Sequence, residues 1–268
     1  MIEIDEKILN NNYKQICHII KNIDLLNMTD YNFTLLTTLL GSDSRKNVKM
    51  LCDKLIKEKN KKLQEIERVN RLYSFDKAFS KNAVLAGVDE VGRGPLAGPI
   101  VAAAVILDLN DLTDIILFIN DSKSLSSALR EEISKEIKNK ALAYSIASCS
   151  NKVIDEKGIS FCNNKVFLDS VKGLPITPDI VLSDGYKIKD YNGKNEAVIK
   201  GDTKSASIAC ASIIAKVYRD NLMKEYHKVY PDYDFNSNAG YGSKKHIEAI
   251  ANKGICEIHR KSFVRNFV

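Results

Sequence analysis

One stretch of the chain constrains its fold more tightly than any other. Residues 83–88 form an apolar run, Ala83-Val84-Leu85-Ala86-Gly87-Val88, and the carboxylate pair Asp89-Glu90 follows directly. Next comes Gly92-Arg93-Gly94-Pro95-Leu96-Ala97-Gly98-Pro99. That segment must be a loop, because proline lacks an N–H to donate and glycine opens conformations closed to other residues. Residues 100–107 return to an apolar run. Short apolar runs bounded in this way read as buried strands. Two adjacent carboxylates at a strand end are costly unless something cationic compensates them. A strand end beside a loop is also where α/β proteins place ligands. From spacing alone, the pair reads equally as a solvated cap on a strand.

Downstream, residues 128–142 and 155–172 read as helices, the second weakened by Gly158. Residues 144–150, 180–183 and 196–200 read as strands. Residues 203–230 read as a long helix rich in small side chains, among them Ala206, Ser207, Ala209, Ala211 and Ala215. Small side chains let a helix lie close to a sheet. Strands followed by mixed helices and strands predict an α/β domain over residues 76–268. Residues 1–75 differ in texture, with no proline and a single glycine, Gly41. After Gly41-Ser42-Asp43-Ser44, a segment of helix-capping residues, Val48, Leu51, Leu55, Leu63, Ile66 and Val69 recur at helical spacing, with a gap at Lys59. This region is expected to be a small helical extension ending in a long helix, with its boundary near residues 74–81.

The hydrophobic fraction of 44% and charged fraction of 28% are ordinary for a globular protein. The net charge of +6 permits a polyanionic partner without demanding one. Up to residue 80 there are 14 Lys/Arg against 11 Asp/Glu, so each part of the chain carries +3. The six cysteines form no C-x-x-C pair and read as reduced residues of a cytoplasmic protein. No signal peptide and no stretch long enough to span a bilayer is evident. Nothing demands more than a monomer.

Three further features invite chemistry but are weak alone. Asp184 ends the apolar run 180–183 and precedes Gly185, a common turn pair. Asp220 follows Lys216 by four residues, the spacing of an exposed helical ion pair. Gly92-Arg93-Gly94 could bring backbone amides and a guanidinium to a phosphate, or be an ordinary turn.

Together the features are specific. The segment from Gly87 to Pro99 closely resembles the signature of the ribonuclease HII family. The pattern continues in order through Asp121-Ser122-Lys123-Ser124-Leu125, Ser183-Asp184-Gly185, Gly201-Asp202 to Arg219-Asp220, Gly240-Tyr241-Gly242-Ser243 and His259-Arg260-Lys261-Ser262-Phe263. It covers roughly residues 83–264, and residues 43–75 resemble the helical extension of a bacterial branch. Departures are Asn238-Ala239, Ser243 and Cys162-Asn163-Asn164.

The resemblance implies an RNase H-like fold, a mixed central sheet flanked by helices. It implies that Asp89, Glu90, Asp184 and Asp220 converge to bind divalent metal, Mg²⁺ or Mn²⁺, for two-metal-ion hydrolysis. Gly92, Arg93 and Gly94 would read a ribose 2′-hydroxyl, and Tyr241 would pack against the sugar. Lys123, Lys204 and Lys216 would contact phosphate or balance charge. The substrates implied are RNA–DNA hybrids and DNA containing ribonucleotides, cut to 3′-hydroxyl and 5′-phosphate ends. The +3 N-terminal region would add duplex affinity. A ribonuclease HIII-like enzyme and a non-catalytic nucleic-acid-binding module on the same fold are the competing readings.

Overall fold

The apolar runs on either side of the glycine loop become the two central strands of one sheet. In a computed structural model, which describes residues 5–26, 28–81, 83–120, 122 and 125–266, they are β1 (Leu85–Val91) and β2 (Ile100–Ile106). They pair antiparallel, with Asp89 opposite Ala103 and Glu90 opposite Ala102. Strands β3 (Ala143–Cys149), β4 (Ile180–Asp184) and β5 (Lys194–Val198) complete a mixed five-stranded sheet in the order β3-β2-β1-β4-β5. Strand β4 runs parallel to β1, with Val88 opposite Ser183. Asp89 and Asp184 therefore each stand one residue beyond that pair, on adjacent strands.

Ahead of the sheet lie α1 (Tyr13–Lys21), α2 (Asp30–Ser42) and the long α3 (Lys46–Ser80). After β2 come α4 (Ser127–Lys140), α5 (Asn151–Lys157) and α6 (Ile159–Lys172). The single helix expected over 155–172 is two: Gly158, with φ +82°, separates α5 from α6. Helix α7 (Ala206–Val229) is the small-residue helix, entered through a 3₁₀ turn at Gly201–Thr203. Three short helices close the chain: α8 (Phe235–Asn238), α9 (Lys244–Lys253) and α10 (Lys261–Val264).

The chain divides into two compact units, Met1–Arg68 and Val69–Val268. In the first, Ile16, Ile20, Leu36, Leu40, Val48 and Leu55 form a buried core. The break in its hydrophobic period at Lys59 has a physical cause. The Lys59 stem is buried, with its ammonium 4.0 Å from the centre of the Phe33 ring and 3.3 Å from Asp30. A long aliphatic stem can bury while its charged head finds a partner.

In the second unit, α7, α4 and the last turns of α3 cover one face of the sheet, and α5 and α6 cover the other. Leu85 and Gly87 face α7, and Ala86 and Val88 face α6. Gly87 is the point of closest approach. A Cβ there would sit 2.2 Å from the Ser207 carbonyl carbon and 2.3 Å from the Ile208 nitrogen. Asp76, on α3, is fully buried and accepts the Ser207 N–H at 2.8 Å, so a carboxylate meets the positive end of α7. Burial pushes its pKa from the ordinary 3.8 up to about 6, against the pull of Ser205 and Ser207.

Two expectations follow from this packing. Gly87→Ala forces backbone against backbone and costs about 3 kcal/mol or more in chemical denaturation, or prevents folding. A cost below about 0.5 kcal/mol would mean that α7 lies farther from β1. A carboxyl whose folded pKa is raised binds its proton more tightly folded than unfolded, so its contribution falls as pH rises from about 4 to about 6. The parent should lose about 3 kcal/mol relative to Asp76→Asn across that window, since each pKa unit is worth about 1.4 kcal/mol. Parallel pH-stability curves for the two proteins would refute this.

Candidate active site

Alternation along β1 sends Asp89 toward α7 and Glu90 toward the opposite face. Asp89 is buried, and its own Oδ1 accepts the Glu90 N–H at 2.7 Å. Its pKa is held well above the usual range, first by burial, then by the charges of Glu90 and Asp184, with the Ser212 hydroxyl pulling it back. Asp184 Oδ1 accepts the Gly201 N–H at 2.6 Å, which ties the end of β4 to the entrance of α7. Ser212, Lys216 and Asp220 recur every four residues on one face of α7. Asp220 is held by two cations, Lys216 Nζ at 2.7 Å and Arg130 Nη1 at 3.0 Å.

The strand ends thus bring Asp89, Glu90 and Asp184 within electrostatic reach of one another. Asp220 stands on the helix face that carries Ser212, engaged by lysine and arginine. Among the described residues, no three His, Cys, Asp or Glu side chains converge closely enough to form a metal-binding group as they stand. Like charges repel, and basic side chains have taken Asp220. The donor set fits a hard divalent cation nonetheless, being all carboxylate oxygen, partly buried and mutually repulsive.

The glycine loop is held by two buried arginines. Arg219 donates to the carbonyls of Pro99 at 2.9 Å, Ala239 at 2.8 Å and Ala97 at 3.2 Å. Arg260 donates to Gly98 and Arg93 at 2.9 Å each and to Gly92 at 2.5 Å. Each planar guanidinium satisfies three backbone carbonyls. Gly92 has φ +95°, and a Cβ there would meet Arg219 Nε at 2.4 Å. The Arg93 guanidinium lies 3.6 Å from Glu90 and over the Tyr186 ring, 4.9 Å from its centre.

Tyr241 stands beside this loop. A Cβ on Gly94 would lie 3.8 Å from its ring, and the ring is partly exposed. Behind it runs a chain of hydrogen bonds. His246 Nδ1 is 2.8 Å from the Tyr241 carbonyl, His246 Nε2 is 3.0 Å from His259 Nε2, and the Cys256 N–H donates to His259 Nδ1 at 2.9 Å. The two end contacts fix the tautomers: His246 donates to the carbonyl, and His259 donates to His246. Burial lowers both imidazole pKa values, that of His259 to about 4, so both stay neutral.

Of the expected phosphate contacts, Lys216 pairs with Asp220 and Lys204 is exposed just after the 3₁₀ turn. Lys123 lies outside the described residues. Arg130, Arg219, Arg260, His246 and Ser212 were not foreseen as functional. Arg219, Arg260 and Ser212 did fall within recognisable motifs, but a motif does not say which charge is buried.

The ribonuclease HII family model matches residues 86–266, and the model of the ribonuclease HII N-terminal domain matches residues 15–80. The chain belongs to the ribonuclease HII family. Ribonuclease HII of Clostridium perfringens is 56% identical over 266 residues, covering 99% of this chain and 98% of that protein. The ribonuclease H2 structure from Pyrococcus horikoshii OT3 aligns with a TM-score of 0.59 at 26% identity, over 68% of this chain and 96% of that one. Bst-RNase HIII, in complex with Mn²⁺, shares the fold at 20% identity and a TM-score of 0.52, over 64% of this chain and 63% of that one. The mixed sheet with its flanking helices is the RNase H-like fold, and the enzyme is a ribonuclease H endonuclease. Its family depends on divalent metal and acts on RNA–DNA hybrids. Among the described residues, no helix is long and apolar enough to cross a membrane.

Arg260→Lys keeps the charge but cannot span three carbonyls. It should lower stability by about 2 kcal/mol, the order of one charged hydrogen bond lost in a buried setting. It should also speed amide exchange at Ala97 and Gly98. Unchanged exchange there would mean that the loop is held by other contacts.

Proposed function

We propose that this enzyme cuts the RNA strand of RNA–DNA hybrids and, in duplex DNA, the 5′ side of an embedded ribonucleotide, leaving 3′-hydroxyl and 5′-phosphate ends. One observation carries the reading. Carboxylates at adjacent strand ends, Asp89 and Asp184, stand beside a rigid glycine loop whose Gly94 touches an exposed tyrosine ring. A phosphodiester and the sugar next to it would span those two features.

Asp89, Glu90, Asp184 and Asp220 would hold divalent ions, Mg²⁺ or Mn²⁺. Such ions supply Lewis-acid charge to the phosphate and lower the pKa of attacking water. The remaining work belongs to the chain. The backbone of Gly92, Arg93 and Gly94, pinned by Arg219 and Arg260, presents polar groups to a 2′-hydroxyl, the atom that separates RNA from DNA. Tyr241 packs against the sugar, and its carbonyl is held from behind by His246. Lys216 and Arg130 pair with Asp220 and, with Lys204, would meet arriving phosphate charge. The carboxylates and the loop come from one chain, which supports action as a monomer, and reduced cysteines fit the cytoplasm.

Cleavage of duplex DNA carrying one ribonucleotide, with and without chelator, tests the reading. The parent should cut in either Mg²⁺ or Mn²⁺ and stop with chelator. Asp89→Asn should lower kcat at least about a thousandfold, roughly 4 kcal/mol of transition-state stabilisation, with duplex binding retained. A parent that binds but never cuts would overturn the proposal.

A further inference from the structure

Two buried imidazoles have no part in the chemistry described so far. His246 is 0% exposed and His259 1%. The rings of Tyr233 and Phe235 stand around them, Phe235 with its centre 5.3 Å from that of His246 and Tyr233 with its centre 4.9 Å from that of His259. Burying two polar rings among apolar ones is costly unless their nitrogens are paired, and apolar side chains of similar volume would fill the same space. What the imidazoles add beyond volume is a line of directed hydrogen bonds.

That line ends on the turn that carries Tyr241. His246, in the first turn of α9, donates from Nδ1 to the Tyr241 carbonyl at 2.8 Å, and its own N–H reaches Ser243 Oγ at 3.3 Å. His259 Nε2 donates to His246 Nε2 at 3.0 Å. The segment around His259 also lies along the glycine loop. Ala97 forms an antiparallel bridge to His259, the Gly98 N–H donates to the Ile258 carbonyl at 2.9 Å, and the Arg260 N–H donates to the Leu96 carbonyl at 2.8 Å. Two adjacent residues therefore serve both sides of the proposed sugar site. Arg260 grips the loop carbonyls, and His259, through His246, holds the tyrosine turn.

The arrangement matters for what the tyrosine can distinguish. Its ring is 42% exposed and presents an apolar face. A deoxyribose packs on such a face freely, whereas a ribose would press its 2′-hydroxyl against the ring and lose water without gaining a partner. A ring on a loose turn would simply draw back by the width of one oxygen atom and feel no difference. The ring discriminates only if its backbone stays put relative to the loop.

We propose that His246 and His259 are positioning residues that fix the gap between the glycine loop and the Tyr241 ring, and so set the preference for a ribonucleotide flanked by deoxyribose over one within continuous RNA. The inference rests on the cleavage of embedded ribonucleotides proposed above. Neither imidazole reaches the substrate, so both act through Tyr241.

The test is a ratio: kcat/KM for duplex DNA holding one ribonucleotide, divided by kcat/KM for an RNA–DNA hybrid. Differences in the folded fraction cancel within each protein. The parent ratio should exceed one. His246→Phe keeps the volume and removes the donor, while His246→Asn gives up volume and keeps a donor near the Nδ1 position. The ratio should fall about three- to tenfold in His246→Phe, the span of one hydrogen bond, and stay near the parent value in His246→Asn. Mere packing would leave both ratios unchanged, or favour the phenylalanine. Tyr241→Ala should also lower the ratio, and adding His246→Phe to it should lower it no further, because residues that act as one unit are not additive. His259→Leu, which removes the donor that fixes the His246 tautomer, should lower the ratio likewise and decides the matter if His246→Phe does not fold. A parent without the preference, a ratio unmoved by loss of the donor, an equal loss in His246→Asn, or additive losses with Tyr241→Ala would overturn the positioning role. A parent that cuts neither substrate would instead overturn the cleavage reading.

Discussion

The contact of α7 with β1 at Gly87 is the constraint from which the site follows. A helix can lie against a strand at that distance only where the strand offers no side chain and the helix offers small ones. Alanines, serines and a cysteine on α7 meet that condition, and Asp76 secures the helix at its positive end. With the helix so placed, the face bearing Ser212, Lys216 and Asp220 runs past the end of β1, where Asp89 stands. A larger residue at position 87 would displace Asp220 as well as loosen the core.

The second organising principle is the use of permanently charged side chains as backbone clamps. The loop between β1 and β2 contains too many glycines and prolines to form a ladder of its own. Its carbonyls are paired by Arg219 and Arg260, drawn from distant parts of the chain. Desolvating two guanidiniums is costly and depresses their affinity for protons. Three carbonyl contacts apiece offset that cost and leave the loop little freedom. The proposed reading of a sugar hydroxyl by backbone groups requires that rigidity.

Much of this was legible in the sequence. Strands β1 and β2 were visible because apolar runs flank a loop that cannot be anything else. Gly158 already weakened a single helix over 155–172, and the helix indeed breaks there. The fifth strand was expected at 196–200 and lies at Lys194–Val198, because its first residues are polar and carry no apolar signal. Helices α8 and α10 were not foreseen beyond their turns, since four residues leave no period to read, and the ten-residue α9 was missed as well. Asp220 illustrates the limit of spacing. Both readings of it were open, and the structure shows the i, i+4 ion pair with Lys216 on the very face that passes the strand end. Burial of Arg219 and Arg260 could not be read, because a sequence displays a charge without its surroundings.

The two enclosed guanidiniums carry a consequence for the molecule in concentrated electrolyte. Mobile ions dim the pull of surface lysines over about 10 Å at 0.1 M and over less as salt is added. Charges sealed inside the protein are shielded far less. Grip on a nucleic-acid backbone should therefore fade with ionic strength while the shape of the sugar-reading loop persists. In brine the molecule would be a reader that has lost its hold on the page but still knows its letter.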